Sequence, residues 1–522
     1  MKRLYRNILL LPALLLSFTS CENWLDLQPE GEATHDELYS TGSGYRSVLN
    51  GLYRNMGKKS LYGGELQFAL VDCMSQQYDL TQSVTQSQSC IKASEFDYKD
   101  NNVVATTDAL WAAAYNIIAT ANDLLQEIEH ASPDIFEHGE MERNLIMGEA
   151  YACRALLHFD LLRLFAPAPV QDDGQVYVPY VSNYPNISAA RIPVKDFLEK
   201  VIHDLEEAQR LTKEFDTSAD GIKANASVDS RFSRSVENTQ LQQFFAGRGY
   251  RLNYYAITAL LARVCQYAGG TEREKEAFNY AKEIVEMKNG STLFYDDNFT
   301  GFILSDGGAD ETQESKFNRK SDLKAKSSLI FAVYNDKSYE ENGLEYYFAR
   351  ADKGGAPSNS SWLPVRVEYI FGNDVAEDIR ANQWLYNTGV YLISGKWYLN
   401  PTESLRDETV NTLPVIRLTE MKYIMAEYYA RTNLYDEAYK ILNGIRRERG
   451  LTSDLPLRNT WNDFVKDLTN DAAREWIAEG QLFYLYKRLD AEVSVKTKKN
   501  GEQVRKLTKG ELTIPAPENQ KN

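Results

Sequence analysis

The chain has 522 residues, with 58 Lys and Arg against 74 Asp and Glu, so its formal net charge is −16. This length suffices for one large core or two domains. Phosphate contacts need clustered Lys and Arg, so an acidic chain without a basic block predicts no nucleic-acid partner. The aromatic content is high, with 33 Tyr, 21 Phe and 7 Trp, and such rings serve both molecular recognition and helix packing.

The first twenty residues have the pattern of a secretory signal. Basic residues among the first six precede an apolar run at 8–16, which is too short to span a bilayer. Small residues directly before Cys21 resemble the bacterial lipobox, at which the cysteine is lipidated and becomes the first mature residue. The alternative is an ordinary signal cleaved near Ser20. We predict a lipid anchor at Cys21 on an otherwise soluble chain.

Apolar residues three or four positions apart predict helices in much of the chain. The clearest pattern is a helical hairpin at 417–450, interrupted by turn-forming Thr432 and Asn433. Its length matches one tetratricopeptide unit. We predict a second hairpin at 255–287 and a third hairpin-like region at 461–489. Because a lone hairpin cannot bury both apolar stripes, these units are expected to pack together.

The N-terminal half follows the same pattern. We predict a helix at 111–128 with Asp108 as its N-cap, followed by a partner helix at 141–165. Residues 216–246 are polar and low in aliphatic side chains, which predicts a loop.

Helical periodicity disappears over 291–413, where glycine-rich turns, aromatic residues and a predicted strand at 328–334 occur. Long irregular segments of this kind are usually functional. The predicted fold class is therefore all-α, with tetratricopeptide-like helical hairpins and a long irregular, loop-rich insertion. The predicted organisation is a lipoprotein signal peptide at 1–20, an N-terminal helical part at 21–235, and a C-terminal part at 236–522 that includes the insertion.

Enzyme signatures are missing from the sequence: it has no HExxH, GxSxG, Walker or GxGxxG motif. His158 lies in a helical Leu/Phe/Arg context that favours a packed structural role. Asp306, Asp310 and Glu311 lack the spacing of an EF-hand, so a solvated acidic loop is favoured over a calcium site. We predict a protein that is not an enzyme and has no cofactor, with calcium kept as an alternative.

Several stretches occur in a specific order. They are CENWLDLQPEG at 21–31, GEAYACR at 148–154, FDLLRLF at 159–165, ALLARV at 259–264, PVIR at 414–417, REWIAEG at 474–480 and IPAPE at 514–518. Together they resemble the SusD/RagB family of outer-membrane nutrient-uptake lipoproteins. The resemblance covers nearly the whole chain and is lowest in the insertion.

One departure from the family pattern is informative. Leu482 and Leu485 stand where the family usually has Arg and Asp on one helix face. A partly buried ion pair can be exchanged as a unit for apolar side chains at little cost, whereas losing one partner leaves an unpaired charge. The matched motifs are therefore interpreted as scaffold.

The resemblance implies a surface-exposed, lipid-anchored protein of the cell outer membrane. Such a protein lies like a lid over a SusC-like TonB-dependent transporter, to which it delivers a captured glycan without any chemical step. Three alternatives stay open: peptide capture on the same scaffold, a surface glycan hydrolase with an Asp/Glu pair, and a purely structural partner of the transporter.

A glycan site needs flat rings against sugar faces and polar groups for the hydroxyls. Aromatic residues outside the helical patterns, with nearby polar residues, supply the candidates. The predicted ligand-binding residues are Asp72, Tyr78, Asp79, Tyr334, Asn335, Tyr346, Tyr347 and Trp362. The alternative is that each ring packs the insertion onto the helices.

Overall fold

The structure is a computed structural model that describes residues 34–186, 188–233, 243–289, 291–295, 322–348, 360–399, 406 and 410–518. The predicted signal peptide, Cys21 and the Asp306, Asp310 and Glu311 group lie outside the described residues. Within these ranges, no helix is both long and apolar enough to cross a membrane.

Helices dominate the N-terminal half. In chain order they are α1 (His35–Leu38), α2 (Gly42–Met56), α3 (Leu70–Met74), α4 (Gln88–Ser94), α5 (Asn101–His130), α6 (Gly139–Phe165), α7 (Val194–Asp216), α8 (Ala219–Asn225), α9 (Val228–Phe232), α10 (Tyr254–Ala268) and α11 (Thr271–Glu286).

The rest of the chain mixes short and long helices. They are α12 (Ser338–Glu341), α13 (Leu344–Phe348), α14 (Val367–Phe371), α15 (Ile379–Trp384), α16 (Leu418–Arg431), α17 (Tyr435–Glu448), α18 (Trp461–Glu475), α19 (Leu482–Leu489) and α20 (Lys509–Leu512).

The strands of the described residues form two-stranded antiparallel sheets. The pairs are β1 (Val176–Pro179) with β2 (Arg191–Pro193), β3 (Lys288–Asn289) with β4 (Ser291–Thr292), β5 (Leu329–Tyr334) with β8 (Thr412–Arg417), β6 (Leu385–Asn387) with β7 (Leu392–Ser394), and β9 (Glu492–Thr497) with β10 (Gly501–Lys506). The β5–β8 pair, from Leu329 opposite Arg417 to Tyr334 opposite Thr412, ties the insertion to the start of α16.

The predicted all-α class is confirmed. Helix α6 packs against α7, α10 against α11, and α16 against α17. The last two pairs are helical hairpins, because only residues 269–270 and 432–434 join their helices. In the last of these, Asn433 adopts a φ of 62° at the turn and Gly450 a φ of 87° at the end. Such left-handed conformations end helices. The predicted hairpins at 417–450 and 255–287 are therefore present.

Two local predictions are wrong. Helix α5 begins at Asn101, and its N-cap is Asp100 rather than Asp108, because the Asp100 side chain accepts a hydrogen bond from the Asn102 amide. The predicted loop at 216–246 contains α8 and α9, which begin at the capping residues Ser218 and Ser227.

One hydrophobic core cluster runs from α2 to beyond α20. The motif residues that carry the family resemblance form ion pairs inside it. Arg154 pairs with Asp204, Arg263 with Glu420, and Arg417 with Glu479, at 2.5–2.7 Å. Leu482 and Leu485 are buried in the same core. This burial agrees with the interpretation of the motifs as scaffold.

Candidate functional site

Two segments far apart in the sequence run side by side over one face of the helices. Tyr78 forms an antiparallel bridge with Val365, and the Asp79 amide donates to the Pro364 carbonyl at 2.7 Å. The Thr85 hydroxyl donates to the carbonyl of Trp362 at 2.9 Å. The structure thus brings the predicted N-terminal residues together with part of the insertion. We call this contact of 75–87 with 360–366 the junction.

The junction continues into α13 through one serine. The Ser361 hydroxyl accepts hydrogen bonds from the amides of Gln86 and Ser87 at 2.8 and 2.9 Å. The Ser361 amide donates to the Tyr346 carbonyl at 2.7 Å. Because each of these bonds involves backbone groups, the path of the junction is fixed independently of the surface side chains.

The eight predicted residues fall into two groups. The side chains of Asp72, Tyr78, Tyr347 and Trp362 are buried, whereas those of Asp79, Tyr334, Asn335 and Tyr346 are partly exposed. The buried group packs the junction onto the helices, which limits its role to supporting a ligand surface.

Asp72 illustrates this supporting role. One carboxylate oxygen accepts a hydrogen bond from the Gly480 amide at 3.0 Å. Burial raises the pKa of Asp72 well above its usual value, and burial likewise raises the pKa of Tyr78. The contact joins α3 to the turn before α19, so Asp72 links the junction to the C-terminal helices.

Asp79 is the charged group that reaches the junction surface. Its carboxylate accepts hydrogen bonds from the Lys496 ammonium at 2.7 Å, from Gln82 at 2.8 Å and from the Thr81 hydroxyl at 2.5 Å. Burial alone would raise the pKa of Asp79, but these three bonds outweigh it and lower that pKa to about 2. Asp79 is therefore ionised at neutral pH.

The two predicted aromatic residues with exposed surface lie on the insertion side. The Tyr346 ring meets that of Tyr347 edge-on, with centroids 4.9 Å apart. Tyr334 packs against Tyr250 at 5.2 Å. The Asn335 side chain donates to the Gly57 carbonyl at 2.9 Å, so this residue also fastens the insertion to the loop after α2.

A cleft of about 540 Å³ opens next to this loop, at Lys58, Lys59 and Ser60. The loop after α2, helix α5 and helix α12 each contribute to it. Its lining comprises Lys58, Lys59, Ser60, Glu65, Ala105, Thr106, Ala109, Glu341 and Asn342. We call it the charged cleft. Asn342 donates to the same Gly57 carbonyl at 3.0 Å.

Sequence reasoning missed the charged cleft. The Gly63–Gly64 pair is the sequence feature that could have pointed to it. A side chain on Gly63 would clash with Asn342 and the Gly57 carbonyl, so the backbone at this position needs glycine. Within the cleft, burial raises the pKa of Glu65 to about 7, against the opposing effects of Lys59 and the Leu70 amide.

The cysteines near the junction are reduced in the structure. Cys73 in α3 and Cys90 in α4 are both buried and free, and the Cys90 thiol lies 3.8 Å from the Tyr347 hydroxyl. Cys153 and Cys265 are also buried and free, as expected for small packed residues.

Family models match two long parts of the chain. One, described as "Starch-binding associating with outer membrane", matches residues 23–227. The other, described as "SusD family", matches residues 283–520. Neither description is that of an enzyme.

Individual relatives agree with these matches. The SusD-like protein P2 of Formosa agariphila is 29% identical over 199 residues. That alignment covers 38% of this chain and 36% of the relative, so the chain matches about a third of the relative's length.

Solved structures share the fold. A SusD superfamily protein from Bacteroides thetaiotaomicron aligns with a TM-score of 0.67 and 20% identity, over 92% of this chain and 97% of that one. The surface glycan-binding protein A of the same species, solved in complex with laminarihexaose, aligns with a TM-score of 0.63 and 16% identity, over 92% and 97%. With most of its length matched and its motifs in the family order, the chain belongs to the SusD/RagB family.

Proposed function

We propose that this protein is a cell-surface glycan-binding lipoprotein. Anchored through Cys21, it captures an oligosaccharide at the junction and hands it to a SusC-like TonB-dependent transporter of the outer membrane. The observation that carries the proposal is the junction itself, in which backbone hydrogen bonds from the segment 360–366 hold both α13, with the partly exposed Tyr346, and the segment of the ionised Asp79. Membership in a family described as starch-binding and outer-membrane-associated supports it.

The chemistry of the junction suits binding without bond cleavage. The Tyr346 ring offers an apolar face for a sugar ring. Asp79 and Lys496 offer a charged acceptor and donor for hydroxyls, and charge-assisted hydrogen bonds are stronger than neutral ones. In this proposal Tyr334 and Asn335 extend the surface, while Asp72, Tyr78, Tyr347 and Trp362 hold it in shape.

One observation favours peptide capture as a second candidate. The charged cleft is lined by two lysines and two glutamates, and its described lining includes no aromatic ring. Such a lining fits the charged groups of a peptide better than the face of a sugar. The two candidates differ in which surface binds and in which ligand is retained.

Affinity gel electrophoresis of the chain from Glu22 onward, which lacks the cysteine proposed to carry the lipid, tests the proposal. The gels contain laminarin, amylopectin, xylan or galactomannan, and a casein digest is titrated in parallel by calorimetry. We expect retardation by at least one polysaccharide, and loss of that retardation in Tyr346→Ala and Asp79→Asn. Tyr295→Ala is the matched control, because Tyr295 is an exposed tyrosine on a different segment.

The outcomes separate the candidates. If the polysaccharide still retards both junction variants, the glycan does not bind at the junction. Binding of casein peptides without retardation by any glycan would replace glycan capture by peptide capture. Trp362→Ala is not used, since truncating a buried ring destabilises the fold whatever its role.

A further inference from the structure

Helix α5 lines a second, larger cleft that none of the predicted ligand residues touches. Its volume is about 850 Å³, within the range typical of ligand pockets. The floor is α5, from Asp108 to Ala119, and the opposite wall is the segment around β1 and β2, with the described residues 176–186 and 188–191. We call it the α5 cleft.

The far wall is held in place by hydrogen bonds to buried groups. The Tyr115 hydroxyl donates to the Pro179 carbonyl at 2.7 Å. The Asn122 amide donates to the Val181 carbonyl at 3.0 Å, and the Val181 amide donates to Nε2 of His158 at 3.0 Å. A wall fixed in this way loses little freedom when a ligand binds, which favours affinity.

The aromatic part of the lining can cover a sugar face. The Tyr184 side chain stands on the rim with 42% of its surface exposed. On the floor, the half-buried Tyr115 ring lies 5.0 Å from the ring of Trp111, which is itself buried and supports it. Along the same helix, Ala112 and Ala119 of the lining are small, so a ligand can approach α5 closely.

The polar part of the lining suits hydroxyl groups. Asn116 is exposed on the floor, and on the rim the Asn186 amide donates to the Asn183 side-chain oxygen at 2.7 Å. Asp108 and Arg191 contribute one charge of each sign. Amides both donate and accept hydrogen bonds, and the charges cancel, so the lining favours a neutral polyol over an anion or a cation.

We propose that the α5 cleft is a second binding site, which takes a neutral oligosaccharide. The inference rests on the proposed function, and it gives the protein two glycan sites, the junction and the α5 cleft. Two linked sites raise the overall affinity for a polymer well above that of either site, without any new contact.

Two variants test the α5 cleft. The double variant Tyr184→Ala with Asn116→Ala removes groups from its rim and floor, while Ala112→Trp fills the floor without deleting a contact. Tyr295→Ala is the control, since Tyr295 is 43% exposed and lies outside the cleft. The protein is titrated by calorimetry with a short oligosaccharide of whichever polysaccharide retards it, laminarihexaose in the case of laminarin.

We expect two sites per chain in the wild type and one in each cleft variant, with a fall of about tenfold or more in affinity for the polysaccharide. A single site abolished by the cleft variants but not by Tyr346→Ala would also assign the sugar to this cleft, and would remove it from the junction. Wild-type binding left unchanged by both cleft variants would overturn the inference while leaving the proposed function intact. A wild type that binds no glycan would overturn both.

Discussion

Glu65, in the charged cleft, carries a proton at a pH where most carboxyl groups do not. Its buried position raises its pKa from 4.5 to about 7, so between these values the folded chain binds a proton that the unfolded chain lacks. This contribution to the free energy of unfolding is present below pH 4.5 and is lost as the pH rises through 7. Its full size is about 3 kcal/mol.

Glu65→Gln removes this titration. We expect the stability of the variant relative to wild type to rise by about 3 kcal/mol between pH 4.5 and pH 8, measured by urea unfolding. Glu437→Gln serves as the control, because Glu437 is an exposed residue whose side chain is 51% accessible. Parallel pH profiles of wild type and Glu65→Gln would show that Glu65 titrates normally.

The contribution of His158 to stability depends on pH in the opposite sense. Its Nδ1 donates to the Arg154 carbonyl and its Nε2 accepts from Val181, both at 3.0 Å, so the ring is neutral. Burial and the Arg154 cation lower its pKa from 6.5 to about 3. The stability contributed by the neutral ring is present above pH 6.5 and is lost as the pH falls toward 3.

The corresponding variant is His158→Gln, which keeps a donor and an acceptor. We expect its deficit relative to wild type to shrink by about 2 kcal/mol between pH 6.5 and pH 4.5, again by urea unfolding. The exposed His130 gives the control His130→Gln, for which no such change is expected. A deficit that is constant with pH would mean that His158 titrates in the folded chain as it does in the unfolded chain.

At the scale of elements, the connection between α18 and α19 concentrates buried charge. Glu479 accepts hydrogen bonds from Arg417 and from Lys396, at 2.5–2.7 Å, and all three side chains are buried. The following Gly480 has a φ of 68°, and a side chain there would clash with the Leu66 carbonyl. The Glu-Gly pair in the family motif is thus explained by packing.

Removing Glu479 leaves two buried cations without their partner. We expect Glu479→Ala to lose about 3–5 kcal/mol of stability, measured by urea unfolding. Glu437→Ala removes one partner of the exposed pair with Lys440 and should cost less than about 1 kcal/mol. A similar small loss in both variants would contradict a structural role for the buried network.

Sequence periodicity predicted the long helices well, because their apolar residues repeat with the helical period and face one core. It missed the first turns of α5, where Val103, Thr106 and Thr107 are poor helix formers held by tertiary packing. It also missed α8 and α9, which are shorter than the window over which a period can be recognised.

The predicted ligand-binding residues show a second limit of prediction from sequence. Tyr78 and Trp362 were both predicted to bind the ligand, and the segments that carry them are adjacent in the structure. Both rings are nevertheless buried in the core. A sequence records that a residue is aromatic but not which side of it faces water, and the same ring types line cores and interfaces. The α5 cleft was missed for the same reason, since Trp111 and Tyr115 fit a helical core stripe.

At the scale of the whole molecule, a lipid at Cys21 would decide where the proposed binding surfaces work. About a dozen residues of sequence separate Cys21 from α1, so the proposed anchor would keep the folded part close to the membrane and to the proposed transporter within it. Confinement of this kind raises the effective concentration of one partner near the other. Uptake should therefore depend on the anchor even though binding does not.

The variant Cys21→Ser tests membrane anchoring separately from glycan binding. We expect the variant, expressed with its signal in a SusD-containing bacterium, to leave the membrane fraction and to lose incorporation of radiolabelled palmitate. Its purified folded part should be retarded by polysaccharide gels as strongly as wild type, because the folded surfaces are unchanged. Membrane retention of Cys21→Ser would contradict lipidation of Cys21 as the anchor. Absence of palmitate from the wild type itself would favour an ordinary signal cleaved near Ser20. Weakened binding of the soluble variant would instead contradict a binding surface that lies wholly in the folded part.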